Sequence, residues 1–96
     1  MIVSFGDPDT EALYHGGRGR KGRRFPPDIV NTALRKLDIL EAARDLRDLR
    51  SPPGNRLEAL RGSLAGCHSI RVNDQWRVVF RWTAQGAEDV SLRDYH

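Results

Sequence analysis

The chain has 96 residues, of which 16 are lysine or arginine and 13 are aspartate or glutamate, giving a net charge of +3. This length accommodates one domain, residues 1–96, with a modest core. With 39% hydrophobic and 30% charged residues the composition is that of a globular protein, and no apolar run approaches the roughly 18 residues of a membrane span. Cys67 is the only cysteine, which excludes an internal disulfide. The opening residues lack the features of a signal peptide, so we expect a cytoplasmic protein with no membrane partner.

The positive charge is carried almost entirely by arginine, since Lys21 and Lys36 are the only lysines. Arginine binds phosphate through a planar, bidentate fork. A GC-rich genome would produce the same bias. The charge therefore favours a polyanionic partner, and both explanations stay open at this point.

The N-terminal third is predicted to hold a short strand, a helical turn and a basic loop. Residues 1–5 alternate weakly, as a strand does, and Asp7-Pro8-Asp9 can start a helical turn. Residues 15–24 contain four glycines, which break a helix. The loop could be a nucleic-acid arm, a contact for a partner protein or a solvated segment. Its candidate RNA-binding residues are Arg18, Arg20, Lys21, Arg23 and Arg24.

A long amphipathic helix is predicted next. Pro26 and Pro27 suit its first turn, and apolar residues then recur at three- and four-residue spacing up to about Ala43. Leu46 and Leu49 extend this apolar edge. The helical part ends at residues 51–55, which contain two prolines, a glycine and an asparagine.

The second half of the chain is predicted to form strands. Residues 57–60 form one, and residues 62–66 form a turn. Alternating patterns follow from His68 to Asn73, from Trp76 to Trp82 and around Val90 and Leu92, separated by turns at 73–75 and 84–86. Helices followed by an antiparallel meander predict a two-layer α+β domain, with two to three N-terminal helical segments packed on a curved antiparallel sheet.

The alternation also predicts which side chains share a face of the sheet. If Trp76, Val78, Phe80 and Trp82 face the helices, the residues between them face the other way. One face then collects arginines and a tyrosine. Such arginines either keep the face soluble or bind RNA. The residues are Arg71, Arg77, Arg81, Arg93 and Tyr95.

Together with His96, these residues supply the groups that metal-independent RNA cleavage needs. The 2′-hydroxyl attacks the neighbouring phosphate, and the reaction requires a base, an acid and positive charge for the phosphorane. His96 can supply proton transfer near neutral pH, although a histidine at this position can also be merely frayed. His68 is in phase with apolar residues and is expected to be structural. The three histidines lack close metal-ligand spacing, so no metal is predicted.

Three stretches closely resemble the HigB branch of RelE-type toxins. They are residues 53–62, residues 66–82 and the final triplet Asp94-Tyr95-His96. The similarity extends to residues 1–5 and to the helices, so it spans essentially the whole chain. The final triplet is strongly specific for this branch when it is combined with one internal block. The block is Ser69-Ile70-Arg71-Val72-Asn73-Asp74-Gln75-Trp76-Arg77.

The resemblance implies a ribosome-dependent endoribonuclease that cleaves translated messenger RNA without a cofactor. It also implies a HigA-type helix-turn-helix antitoxin, with operator DNA contacted only through that antitoxin. Carried over by position, Arg61 and Arg77 would bind phosphate and stabilise the transition state. His96 would be the acid or base, Tyr95 would orient or stack the nucleotide, and Asp94 would hold a neighbouring side chain.

Two residues depart from the pattern of many relatives, which have histidine in place of Glu58 and lysine in place of Arg61. Arginine does not readily lose a proton, so Arg61 can hold phosphate but cannot act as a base. Glu58 is a candidate base, although its charge would also repel phosphate. An alternative function is a basic module that binds RNA or a partner without catalysis.

Overall fold

The computed structural model describes residues 1–16 and 25–94, which contain two helices and a four-stranded sheet. Helix α1 spans Pro8–Gly16. Asp7 caps its start, because its carboxylate accepts hydrogen bonds from the Thr10 amide at 2.7 Å and the Thr10 hydroxyl at 3.0 Å. The predicted helical turn is thus a nine-residue helix that continues through His15 and Gly16. The rest of the predicted basic loop, residues 17–24, lies outside the described residues.

Helix α2 spans Pro27–Ala42, as the apolar spacing predicts. Its buried residues form a stripe that packs on the sheet: Ile29, Val30, Ala33, Leu37 and Leu40. A short 3₁₀ helix, Leu46–Arg50, follows, and its Leu49 side chain is buried in the same core. The predicted apolar extension beyond α2 is therefore a separate helical turn.

The sheet is an antiparallel meander in the order β1-β2-β3-β4. The strands are β1 Glu58–Ala59, β2 His68–Arg71, β3 Trp76–Thr83 and β4 Gly86–Asp94. The predicted strand at 57–60 is shorter than expected. Arg56 has a left-handed backbone (φ 46°) just before it, and a 3₁₀ helix, Gly62–Leu64, begins soon after it.

Residues 1–5 run beside β4 but do not form the predicted continuous strand. Only two isolated parallel bridges join them to β4, Ile2 with Ala87 and Phe5 with Val90. Between these bridges Asp89 has a positive φ of 55°, and its amide donates to the Ser4 hydroxyl at 2.9 Å. This irregularity of β4 interrupts the ladder.

The predicted assignment of the two sheet faces is confirmed for the described residues; Tyr95, which is predicted for the face that collects the arginines, lies outside them. Val78 and Phe80 are buried against the helices, with Trp76 and Trp82 partly buried at either end of the strand. The opposite face is covered at its middle by a second small cluster of Leu60, Cys67 and Val79, against which Leu64 packs. The predicted two-layer α+β class is therefore correct. None of the helices in residues 1–16 and 25–94 is long and apolar enough to cross a membrane.

Candidate active site

Three arginines lie side by side across the sheet, on the face opposite the helices. Arg77 of β3 is the register partner of Arg71 on β2 and of Arg93 on β4. Residues directly opposite one another in an antiparallel sheet project to the same side, so the three side chains form a single row. We refer to Arg71, Arg77 and Arg93 as the arginine row. Like charges at such positions repel one another, and a bound polyanion would relieve that repulsion.

The turn between β2 and β3 sets the register of this row. The Asn73 side-chain oxygen accepts hydrogen bonds from the backbone amides of Gln75 (2.8 Å) and Trp76 (2.7 Å). Such an asparagine bond closes a tight turn locally. The predicted turn at 73–75 therefore places Arg71 directly opposite Arg77.

Arg77 is held across the sheet by Glu58. Its Nη1 lies 3.1 Å from the Glu58 Oε1, which requires the side chain to extend from β3 over β2 to β1. The neighbouring β2 residue on this face is Ser69, the register partner of Glu58, and its small side chain is fully buried. The Arg77 side chain is only 14% exposed, whereas that of Glu58 is 55% exposed. Two predicted site residues are thus brought into direct contact.

The other arginines of this face also have polar partners. Arg71 forms an ion pair with Asp74 in the β2–β3 turn. The Nε of Arg93 donates to the Ser91 hydroxyl at 3.0 Å. Arg81 lies outside the row, beside the turn that contains Gly66, and its Nε is 4.0 Å from the Asp89 carboxylate. The sequence predicts the arginines of this face but does not reveal the acidic partners of Arg71 and Arg81.

Asp94 follows Arg93 at the end of β4, and by the alternation of the strand its side chain projects to the face opposite the arginine row. It is the register partner of Trp76, one position beyond the pairing of Arg77 with Arg93. Its Oδ2 accepts a hydrogen bond from the Gln75 side chain at 2.9 Å. Asp94 is thus bonded to a turn residue, which the sequence does not single out. Tyr95 and His96 lie outside the described residues.

Arg61 is not a member of the row; it immediately precedes the 3₁₀ helix Gly62–Leu64 and is exposed. His68 is half-buried on the helix side of the sheet, where its ring stacks on Phe80 with a centroid distance of 6.2 Å. Cys67 is a buried free thiol. Within residues 1–16 and 25–94, no group of three potential ligands is placed to hold a metal ion.

Structural comparison shows that this fold occurs in a solved protein complex. The YoeB-YefM complex from Staphylococcus aureus contains a chain that superposes with a TM-score of 0.61 at 17% sequence identity. The alignment covers all of this chain and 98% of the other. At that identity the likeness establishes the fold alone, which is the α+β fold of two helices on a four-stranded antiparallel sheet.

Sequence comparison identifies the family. Residues 4–96 match the family described as RelE-like toxin of type II toxin-antitoxin system HigB. Toxin HigB-1 of Vibrio cholerae is 43% identical over 95 residues, covering 99% of this chain and 94% of that protein. An uncharacterized protein of Haemophilus influenzae is 39% identical over 59 residues, covering 62% of this chain and 58% of that protein. The chain belongs to the HigB-like family of RelE-like toxins.

Proposed function

We propose that this protein is a ribosome-dependent endoribonuclease that cleaves translated messenger RNA and arrests growth. The observation that carries the proposal is the arginine row across β2, β3 and β4, the last of which ends at Asp94, immediately before Tyr95 and His96 in the chain. Membership of a toxin family supports the same function. Three guanidinium groups in one row suit the spaced charges of an RNA backbone.

The proposed chemistry needs no metal. A base removes the proton of the 2′-hydroxyl, and the oxygen attacks the adjacent phosphorus. The bond to the 5′-oxygen breaks, and an acid protonates that leaving oxygen. The products are a 2′,3′-cyclic phosphate and a 5′-hydroxyl end. Negative charge builds on the phosphorane between these steps, and guanidinium groups held in place before the reaction stabilise it.

In this scheme Arg77 and Arg61 bind the phosphate and stabilise the phosphorane. His96 is the preferred acid or base, and Tyr95 orients or stacks the nucleotide. Asp94 holds a neighbouring side chain, a role to which its hydrogen bond with Gln75 lends support. Proton transfer is divided among His96, Tyr95 and Glu58. Arg71, Arg81, Arg93 and the basic residues of 18–24 contact more distant parts of the RNA or ribosome.

We also propose an antitoxin partner of the HigA helix-turn-helix type, through which the toxin reaches operator DNA. Two findings support a partner of this general kind. The family description places such toxins in type II toxin-antitoxin systems, and the structural neighbour is a complex. Because it acts on translating ribosomes, we place the protein in the cytoplasm.

A translation reaction with end-labelled messenger RNA tests the function. We expect discrete cleavage products only when ribosomes translate the message. Arg77→Met should lower the cleavage rate by about 100-fold, the usual scale for one preorganised donor to a developing oxyanion. Arg35→Ala, which removes an exposed positive charge from α2, should cleave at the wild-type rate. Intact message in the presence of wild-type protein and translating ribosomes would refute the proposal.

The variant His96→Ala separates this function from the alternative of a binding module without catalysis. If His96 is the acid or base, the variant should lose at least about 100-fold in cleavage. Its affinity for ribosomes should stay within about twofold of wild type. Unchanged cleavage by this variant would remove His96 from the reaction. Ribosome binding without any cleavage by the wild-type protein would favour the binding module.

A further inference from the structure

The ion pair between Glu58 and Arg77 joins a nearly buried cation to an exposed anion. The Arg77 side chain lies flat across β2 and is fixed by the sheet, whereas the Glu58 carboxylate lies at the exposed edge strand β1. Glu58 can turn away into solvent by rotating its own side chain, without any change of backbone. Arg77 has no comparable freedom, because 86% of its side-chain surface is covered.

Carboxylate and phosphate oxygens bind a guanidinium in the same way, through short charge-assisted hydrogen bonds. One N–H of the Arg77 Nη1 is therefore already donated, at 3.1 Å, to a group that resembles a phosphate. A phosphate that takes this N–H must displace the carboxylate. The negative charge of Glu58 would also remain close to the incoming phosphate until it moves.

We infer that Glu58 competes with RNA for Arg77. An RNA phosphate that takes the N–H donated to Glu58 displaces the carboxylate from this guanidinium. The inference rests on the proposed function, in which Arg77 holds the RNA phosphate. It adds competition for Arg77 to the part in proton transfer proposed for Glu58. A base accelerates the chemical step. A competitor weakens RNA binding, because the Glu58–Arg77 ion pair must be broken before an RNA phosphate can take this N–H of Arg77.

A noncleavable ligand separates these two roles. A labelled single-stranded 2′-deoxy oligonucleotide has phosphates but no 2′-hydroxyl, so its binding reports on competition alone. We would measure its dissociation constant by fluorescence anisotropy at low, fixed salt, because phosphate contacts weaken steeply as salt increases. Glu58→Gln keeps the size of the side chain and removes its charge. It should bind the oligonucleotide about three- to fivefold more tightly than wild type, the upper part of the range expected for release of an exposed ion pair.

Two controls make the result specific to Arg77. Glu11→Gln removes an exposed carboxylate from α1 and makes the same change in net charge, so its affinity should stay within about twofold of wild type. Glu58→Gln combined with Arg77→Met should bind no better than Arg77→Met alone. Methionine preserves most of the apolar packing of the arginine stem, and thermal unfolding would confirm that each variant is folded.

Equal affinity of Glu58→Gln and Glu11→Gln would overturn the inference, since only net charge would then matter. A gain that persists in the Arg77→Met background would also overturn it, as would the absence of measurable binding by Glu58→Gln. The proposed function is tested separately by ribosome-dependent cleavage. A wild-type protein that fails to cleave message while Glu58→Gln gains affinity through Arg77 would refute that function and leave the competition intact.

Discussion

We expect substitution of the polar residue Asn55 to cause a large loss of stability. Asn55 is fully buried, just before the turn that leads into β1. Its side-chain nitrogen donates to the Leu49 carbonyl at 3.1 Å and the Ser51 carbonyl at 3.3 Å. Its oxygen accepts from the Lys36 ammonium at 2.6 Å. One side chain thus ties α2 and the first 3₁₀ helix to the segment that carries Glu58.

Asn55→Ala should lower the free energy of unfolding by about 3 kcal/mol. Two hydrogen bonds between neutral groups contribute about 1 kcal/mol each, and a bond to a charged group contributes somewhat more. The variant also leaves two carbonyls without the donor they share. A loss of this size is a large fraction of the roughly 5–15 kcal/mol that stabilises a typical domain.

Asn55→Asp and Lys36→Met divide this loss between the two ends of the side chain. Asn55→Asp retains the contact with Lys36 but turns an oxygen toward two carbonyl oxygens, so about 2 kcal/mol should be lost. Lys36→Met should cost about 1 kcal/mol, because it leaves the buried Asn55 oxygen without a donor but also removes a charge that the fold disfavours. Burial lowers the pKa of Lys36, with further contributions from Arg35 and Arg71, so the fold already disfavours its charge.

Urea denaturation followed by circular dichroism gives these free energies, provided that the slope with denaturant is unchanged among variants. The losses should follow the order Asn55→Ala, Asn55→Asp, Lys36→Met, from the largest to the smallest. A loss below 1 kcal/mol for Asn55→Ala would refute this prediction. So would a Lys36→Met loss as large as that of Asn55→Ala, because the carbonyl contacts would then contribute nothing.

Two further predictions concern the backbone and the pH dependence of stability. Gly86→Ala should lower the free energy of unfolding, measured by urea denaturation, by about 2 kcal/mol, because φ is 135° there and a Cβ would lie 2.3 Å from the Met1 carbonyl oxygen. The control is Gly54→Ala, whose Cβ meets nothing within 4 Å and which should leave the free energy of unfolding unchanged. Burial, reinforced by the carboxylates of α2 including Asp38, raises the pKa of Tyr14 above 10.0, so the unfolded chain ionises first. Stability from Tyr14 is therefore complete below pH 10 and is lost as the pH rises through the folded-state pKa. The urea midpoint of the wild type should fall relative to that of Tyr14→Phe between pH 9 and 11. A constant difference between the two midpoints would contradict this account.

The alternation of β3 was sufficient to predict the face on which Arg77 projects. Side-chain direction in a strand depends only on the period of two, so Val78 and Phe80 determine the orientation of Arg77 as well. The turn at 73–75 was recognisable for a similar reason, since Asn73 forms its bonds within three residues. Local chemistry of this kind can be read directly from a sequence.

The contact between Glu58 and Arg77 could not be predicted in this way. It depends on the registers of two successive strand pairs, β1 with β2 and β2 with β3, and on a small residue, Ser69, between them. The parallel bridges of residues 1–5 to β4 were equally hidden, because nothing near Ile2 in the sequence specifies a partner at Ala87. The roles of Arg61, Tyr95 and His96 remain predictions from the family resemblance.

The bridges between residues 1–5 and β4 have a consequence for how the protein folds. Ser4 and Asp89, which bond between the two bridges, are separated by 85 residues in the chain. Contacts between such distant residues form late, because the chain must first close a long loop. During synthesis, the first five residues must wait until the strand they flank has been made. A nascent chain that already has α2 and the β2–β3 hairpin would still lack β4. It would therefore also lack Arg93, the member of the arginine row that β4 carries.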